Sequence, residues 1–234
     1  IGGAYRYRGS RRRRYGAAQR SVCSEAPAAS STSPSTALAP LRRNAAQALS
    51  NLPGKATKRL GVCAERDVHP RVQRACVEAV AKRGGANGSL VVAANTSKDL
   101  ESRLKALDAL AATLDAKAVA GVRGLLSDPI ELVQFAAARA LAWGGDAAGR
   151  RFLSNHLGGK DVERAVRAIH VLADVPKSWA ADAIADRLAS TDSDVRRAAA
   201  KALEVRGDER GRRALRTWAD VQGGPDAAFA QAEL

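Results

Sequence analysis

The chain has 234 residues, 46% of them hydrophobic and only 4% aromatic, with 51 alanines and no methionine. That length suits one medium-sized domain plus an arm, and the small, straight side chains favour closely packed helices over a sheet core. The net charge of +14 is uneven: residues 1–60 hold 12 Lys or Arg against Glu25 alone, while the other 174 residues hold 26 basic and 23 acidic side chains, which disfavours a basic groove running the length of the chain.

Residues 1–60 read as a Ser/Ala/Pro-rich basic arm; residues 1–40 have no hydrophobic period and are expected to be disordered or extended. Tyr5, Tyr7 and Tyr15 alternate with arginines, and Arg11, Arg12, Arg13 and Arg14 form an unbroken run. Arginines beside tyrosines suit phosphate contact with ring stacking on exposed bases. An acid-poor Arg/Ser/Ala terminus also fits a targeting remnant, and a solubilising or protein-docking tail is the plainest alternative. A chain opening on Ile1 is expected to be a processed or incomplete product. Within the arm, residues 41–52 are expected as a short amphipathic helix with Leu41, Ala45, Ala48 and Leu52 on one side and Arg42 and Arg43 on the other, ended by Pro53-Gly54. Such a helix would cap the segment that follows.

Residues 61–222 carry a helical repeat, followed by a tail at 223–234. Positions 110, 141, 172 and 203 are all Leu, and 106, 137, 168 and 199 are all Ala. Positions 122, 153, 184 and 215 read Val, Leu, Ile, Leu; positions 126, 157, 188 and 219 read Leu, Leu, Leu, Ala. A 31-residue unit cannot bury its own apolar stripe, so successive units must stack. The expected helical pairs span about 68–96, 99–127, 129–158, 161–189 and 193–221. In the third, Asp128 is the expected N-cap, Pro129 the first helical residue and Glu131 the capping-box partner. Gly144-Gly145 ends that helix, and Asp146, like Asp115 and Asp208 at the same phase, caps the next. Gly149, Ala118, Ala180 and Gly211 keep one position small, which implies close helix contact there.

The series Asp192, Val195, Arg196, Ala199, Ala202, Leu203, Gly207 resembles the repeat pattern of HEAT-like proteins, in particular the short version of the phycobilisome lyase group. Val133, Ala137, Ala140, Leu141 and Gly145 repeat it closely; Val72, Cys76, Ala79, Val80 and Gly84 are a weaker copy; Ser102 and Arg164 depart from it. The resemblance covers about residues 68–222 and implies a right-handed all-α solenoid of about five hairpins. It does not choose an activity, because that repeat serves bilin lyases, maturation proteins, adaptors and assembly subunits.

Candidate chemistry is sparse. His69, His156 and His170 have no Cys, His or carboxylate partner at ligand spacing, so neither metal nor cofactor is expected. Cys23, Cys63 and Cys76 do not form a disulfide framework; free thiols are expected at Cys63 and Cys76, with a Cys63–Cys76 bridge as the alternative, and free thiols suit a cytoplasmic or organelle-matrix (mitochondrial or plastid) location. Asp182 and Asp186 near Trp179 invite comparison with helical-repeat DNA glycosylases, whose characteristic surroundings are not recognisable here. The stronger surface signal is arginine on successive second helices: Arg150 and Arg212 share one phase, Arg151 and Arg213 the next. These four, with the arm residues above, are the expected binding residues. The expected function is a non-catalytic scaffold that holds a protein partner and anchors to a larger assembly through the arm. The alternatives are a ribonucleoprotein component binding rRNA or other nucleic acid and, more remotely, a lyase-like or glycosylase-like enzyme.

Overall fold

The computed structural model describes residues 38–52, 56–83 and 87–221. The arm residues Tyr5, Tyr7, Arg11 to Arg14 and Tyr15, the stops at Pro53-Gly54 and Gly84-Gly85, and the tail from Gln222 lie outside the described residues. Among those described, the chain is all helical: α1 (Ala39–Ser50), α2 (Thr57–Arg66), α3 (Pro70–Arg83), α4 (Asn87–Thr96), α5 (Leu100–Thr113), α6 (Ala116–Arg123), α7 (Glu131–Trp143), α8 (Ala147–Leu157), α9 (Val162–Ala173), α10 (Ser178–Ala185), α11 (Ser193–Arg206) and α12 (Glu209–Val221), with short 3-10 turns after α6 and α10. The fold is an α-solenoid of HEAT-like hairpins. It divides into two compact units, residues 1–118 and 119–234.

Within each unit, like helices stack on like. In unit 1, α3 lies between α1 and α5, and α2 packs on α4; in unit 2, α9 lies between α7 and α11, and α10 packs on α12. The repeating sequence columns are what these contacts bury. Ala106 and Leu110 in unit 1, and Val122, Ala137, Leu141, Leu153, Ala168, Leu172, Ile184, Ala199, Leu203 and Leu215 in unit 2, are all 0% exposed. The small column is explained by distance. A Cβ on Gly149 would lie 2.6 Å from the Ala138 carbonyl oxygen, the Ala142 nitrogen and the Leu141 Cβ. Helix α8 therefore approaches the backbone of α7 too closely for any side chain.

The turns follow two periodic devices. Ahead of the first helices, Asp67, Asp99, Asp128, Asp161 and Asp192 each accept a backbone N–H from a residue two or three positions on. In the third repeat this corrects the expected cap. Asp128 closes a turn onto the Ile130 N–H, and the first helical acceptor is the Ile130 carbonyl, so α7 begins at Glu131 and not at Pro129. Glu131 reaches Arg164 at 3.2 Å. The residue after the motif valine reaches back to the preceding segment: Gln73 donates to Glu65 O, Arg103 to Ala94 O, Gln134 to Asp128 O and Arg196 to Ser190 O. The Val-Arg pair of the repeat thus divides its work between core and backbone satisfaction.

Ahead of the second helices, Asp115, Asp146 and Asp208 accept from the N–H groups of Ala118, Ala148 and Gly211. All three carboxyls are held below the ordinary range. For Asp146 the main cause is the hydrogen bond from Arg123; for Asp115 it is the Ala118 amide; for Asp208 burial works the other way and is outweighed by the Gly211 amide together with Arg206. A carboxyl with a depressed folded pKa contributes stability above its unfolded value, about 3.9, and loses it as pH falls through the folded value. Asp146→Asn, which keeps a capping oxygen but cannot ionise, should therefore be less stable than wild type at pH 7 by roughly 0.5–1 kcal/mol. The difference should shrink as the pH falls below the unfolded value of about 3.9 and vanish once it is below the lowered folded value. Urea unfolding at several pH values reads it; a gap that persists in acid would contradict the charge assignment.

The first helix of unit 1 departs from expectation. Ala39, Arg42, Ala45, Ala46 and Leu49 form its buried face, while Leu41 is 55% exposed and Ala48 is exposed. An apolar pattern alone placed Arg42 outside; its fork instead meets Asp67, Nε to Oδ2 at 2.9 Å and Nη2 to Oδ1 at 3.1 Å, with both side chains over nine-tenths buried. The same 25-residue step joins Arg74 to Asp99. A second correction concerns Cys63 and Cys76, which form a disulfide with Cα atoms 5.8 Å apart. The turn at Asp67 folds α3 back along α2, so residues 13 apart face each other and the expected free thiols meet.

Candidate partner-binding surface

The second helices of unit 2 present their outer rows at a spacing of 31. One row holds Arg151, Asp182 and Arg213, and the next, three residues earlier, holds Ala148, Trp179 and Arg210. Rows three residues apart lie on one side of a helix. Arg151, Asp182, Arg210 and Arg213 are exposed and Trp179 is half-buried. Arg210 pairs with Asp182 at 2.7 Å, joining α12 to α10. The Arg150 guanidinium lies 5.0 Å from the Trp179 ring centroid, a cation–π stack that joins α8 to α10.

The four arginines expected here are not equivalent. Arg150 is stacked on Trp179, and Arg212 turns to the Gly207 carbonyl and to Glu209. The side chains of Arg151 and Arg213, and of Arg216 one turn further along α12, make no hydrogen bond or ion pair among the described residues. Arg123 pairs with Asp146 at 2.5 Å, and Arg187 donates to the Leu157 carbonyl at 3.1 Å. Asp182 interrupts the cationic row between Arg151 and Arg213. The surface is therefore mixed in sign, with one large aromatic at its centre.

His156 sits elsewhere, against Phe152 and Phe135 at 4.4 and 5.2 Å between ring centroids, and burial, with Arg164, lowers its pKa. A cavity of about 530 Å³ in unit 2 lies by the turns after α9 and α11, and Pro176, Lys177, Arg206, Asp208 and Arg210 are among its lining residues. Two of its three cations are already engaged: Arg206 donates to the carbonyls of Leu172, Val175 and Lys177, and Arg210 holds Asp182. Sequence reasoning missed Arg206. Its signal was phase, since Arg83 stands at the same repeat position and donates to Leu49 O, Leu52 O and Thr57 Oγ1 in unit 1.

No protein-family model matches the chain, and no curated protein matches it. Solved structures similar to it include the complex of CpcE and CpcF of phycocyanin lyase from Nostoc sp. PCC7120, at 23% identity and a TM-score of 0.48, covering 89% of this chain and 82% of that chain. Human deoxyhypusine hydroxylase in complex with glycerol matches at 15% identity and a TM-score of 0.42, covering 94% of each chain. YibA of E. coli matches at 16% identity and a TM-score of 0.48, covering 99% of each. This chain is a helical-repeat protein. No helix among the described residues is long and apolar enough to cross a membrane.

Proposed function

We propose that this chain is a non-catalytic scaffold or adaptor subunit. It binds a protein partner through the second helices of unit 2 and anchors to a larger assembly through its basic arm. The observation that carries the reading is the Arg150–Trp179 stack set between the unpaired Arg151 and Arg213 and the Arg210–Asp182 pair. Tryptophan and arginine are enriched among the few residues that carry most of the energy of protein interfaces, and alternating charge sign suits a protein partner better than a continuous phosphate backbone. The resemblance of the repeat to the phycobilisome lyase group enters as a likeness of repeat, and the role proposed is binding and not bilin transfer.

The test is affinity capture from a native extract, with and without nuclease, comparing wild type, Trp179→Ala/Arg151→Glu/Arg213→Glu, and the fourfold replacement of Arg11 to Arg14 by Ala. A nuclease-resistant protein lost at least tenfold on the triple variant, with unchanged circular dichroism, is expected. The factor corresponds to about 1.4 kcal/mol, less than one interface hot spot. Capture that is abolished by nuclease, or that depends on the four arm arginines alone, would replace this reading with a nucleic-acid one.

A further inference from the structure

Unit 1 holds a second, smaller site. A cavity of about 150 Å³ lies between the starts of α1 and α3, lined by Ala39, Pro40, Arg43, His69 and Arg71. Arg43 and Arg71 make no hydrogen bond or ion pair among the described residues. Arg43 Nε and His69 Nδ1 are buried atoms with no hydrogen-bonding partner. Buried polar atoms are normally satisfied, so two beside one cavity, with a free guanidinium at its wall, indicate a missing acceptor. No carboxylate among the described residues lines the cavity to supply one; Asp67, the nearest of them in sequence, is bound by Arg42 and by the His69 backbone N–H.

A second cavity of about 260 Å³ shares Arg43 and Arg71 as lining residues. There the remaining cations are already paired, Arg74 with Asp99 and Glu101, Lys105 with Glu78 and Glu101. The two carboxylates Glu78 and Glu101 on its wall repel a polyanion laid across both cavities. They do not oppose a single carboxylate seated at Arg43 and Arg71 with uncharged chain beyond it. Leu38 and Val68, chain neighbours of the lining residues Ala39 and His69, are 48% and 66% exposed, which adds apolar surface suited to a side chain beside that carboxylate.

We propose that the Arg43–His69–Arg71 cavity receives an acidic side chain from an extended apolar-acidic segment of a partner protein. The guanidinium forks of Arg43 and Arg71 bind its carboxylate, and His69 Nδ1 donates to it. This deepens the scaffold reading by adding a peptide site in unit 1, and it rests on that reading for the class of ligand.

The test uses the purified full chain and a fluorescent peptide of alternating Leu and Glu, with its Leu/Gln counterpart, read by anisotropy. Arg71→Ala and Arg43→Gln should each weaken the Glu peptide about tenfold or more. The Gln peptide should fail to bind, and added salt should weaken binding. Arg71 is exposed, so its replacement leaves helicity and melting unchanged and the binding loss cannot be ascribed to unfolding. Glu-peptide binding that survives both replacements but vanishes when Arg11 to Arg14 become Ala would overturn the proposal. So would Arg71-dependent binding of inorganic phosphate or a single-stranded oligonucleotide in place of the peptide. Because the extract capture reads unit 2, a failed peptide titration with intact capture removes this site alone.

Discussion

Gly149→Val should be the most disruptive single substitution in unit 2, with loss of its cooperative unfolding transition at room temperature. Even the first added carbon meets two backbone atoms and the Leu141 Cβ at 2.6 Å, and helical backbone in the C-terminal half of α7 cannot rotate away as a side chain end would. Overpacking a core costs about 1–3 kcal/mol when neighbouring side chains can yield. Here Gly149→Ala should reach about 3 kcal/mol, and valine should exceed it, against a domain stability of only about 5–15 kcal/mol. Gly124 supplies the control. A Cβ there meets nothing within 4 Å, so Gly124→Ala should leave stability unchanged or raise it by about 0.5–1 kcal/mol. Guanidinium unfolding of the three variants, followed by circular dichroism, checks the ranking. Equal melting of Gly149→Ala and Gly124→Ala would contradict the close α7–α8 approach.

The second large effect is expected at Arg206. Its side chain is 6% exposed and closes the C-terminal end of α9 by donating to Leu172 O at 2.9 Å and Val175 O at 2.7 Å, while Asp208 balances its charge at 2.8 Å. Removing it strips acceptors at the end of one helix, where a cation is also favoured by the helix dipole, and leaves the Asp208 carboxylate half-exposed without its partner. Hydrogen bonds to charged donors are worth about 1.5–3 kcal/mol each, and these are not additive. Arg206→Ala should therefore destabilise unit 2 by roughly 3 kcal/mol, and Arg206→Lys should recover less than half of that, because one ammonium cannot span the carbonyls that the fork reaches. Chemical denaturation of both variants measures it. A loss below about 0.5 kcal/mol for Arg206→Ala, the level of an ordinary surface change, would refute the staple.

The repeat was legible because burial has a period. Leu110, Leu141, Leu172 and Leu203 recur at 31 and all reach zero exposure, and the small residue at 149 announced a close contact before any distance was known. What the sequence hid was carried by charge and by geometry across repeats. Arg42 looked like a solvated residue because its partner Asp67 lies 25 positions away, in a turn that only the packing of α1 on α3 brings near. Arg206 looked like an ordinary basic helix end; nothing local distinguishes a side chain turned to its own helix from one turned to the previous repeat. Cys63 and Cys76 were separated by the turn that joins them. At the candidate surface, the phase of Arg151 and Arg213 was legible, whereas the stacking of Arg150 on Trp179 and the Arg210–Asp182 link depended on the distance between neighbouring helices.

The central claim is that unit 2 has an outer face free to hold a protein while its core is closed by the repeat itself. Hydrogen–deuterium exchange of the full chain, alone and with the captured partner, tests it most directly. The account predicts new protection in α8, α10 and α12, around Arg151, Trp179 and Arg213, with no change in the already buried columns at Leu141, Leu172 and Leu203. Protection confined to other helices, or spread evenly over the core columns, would contradict it.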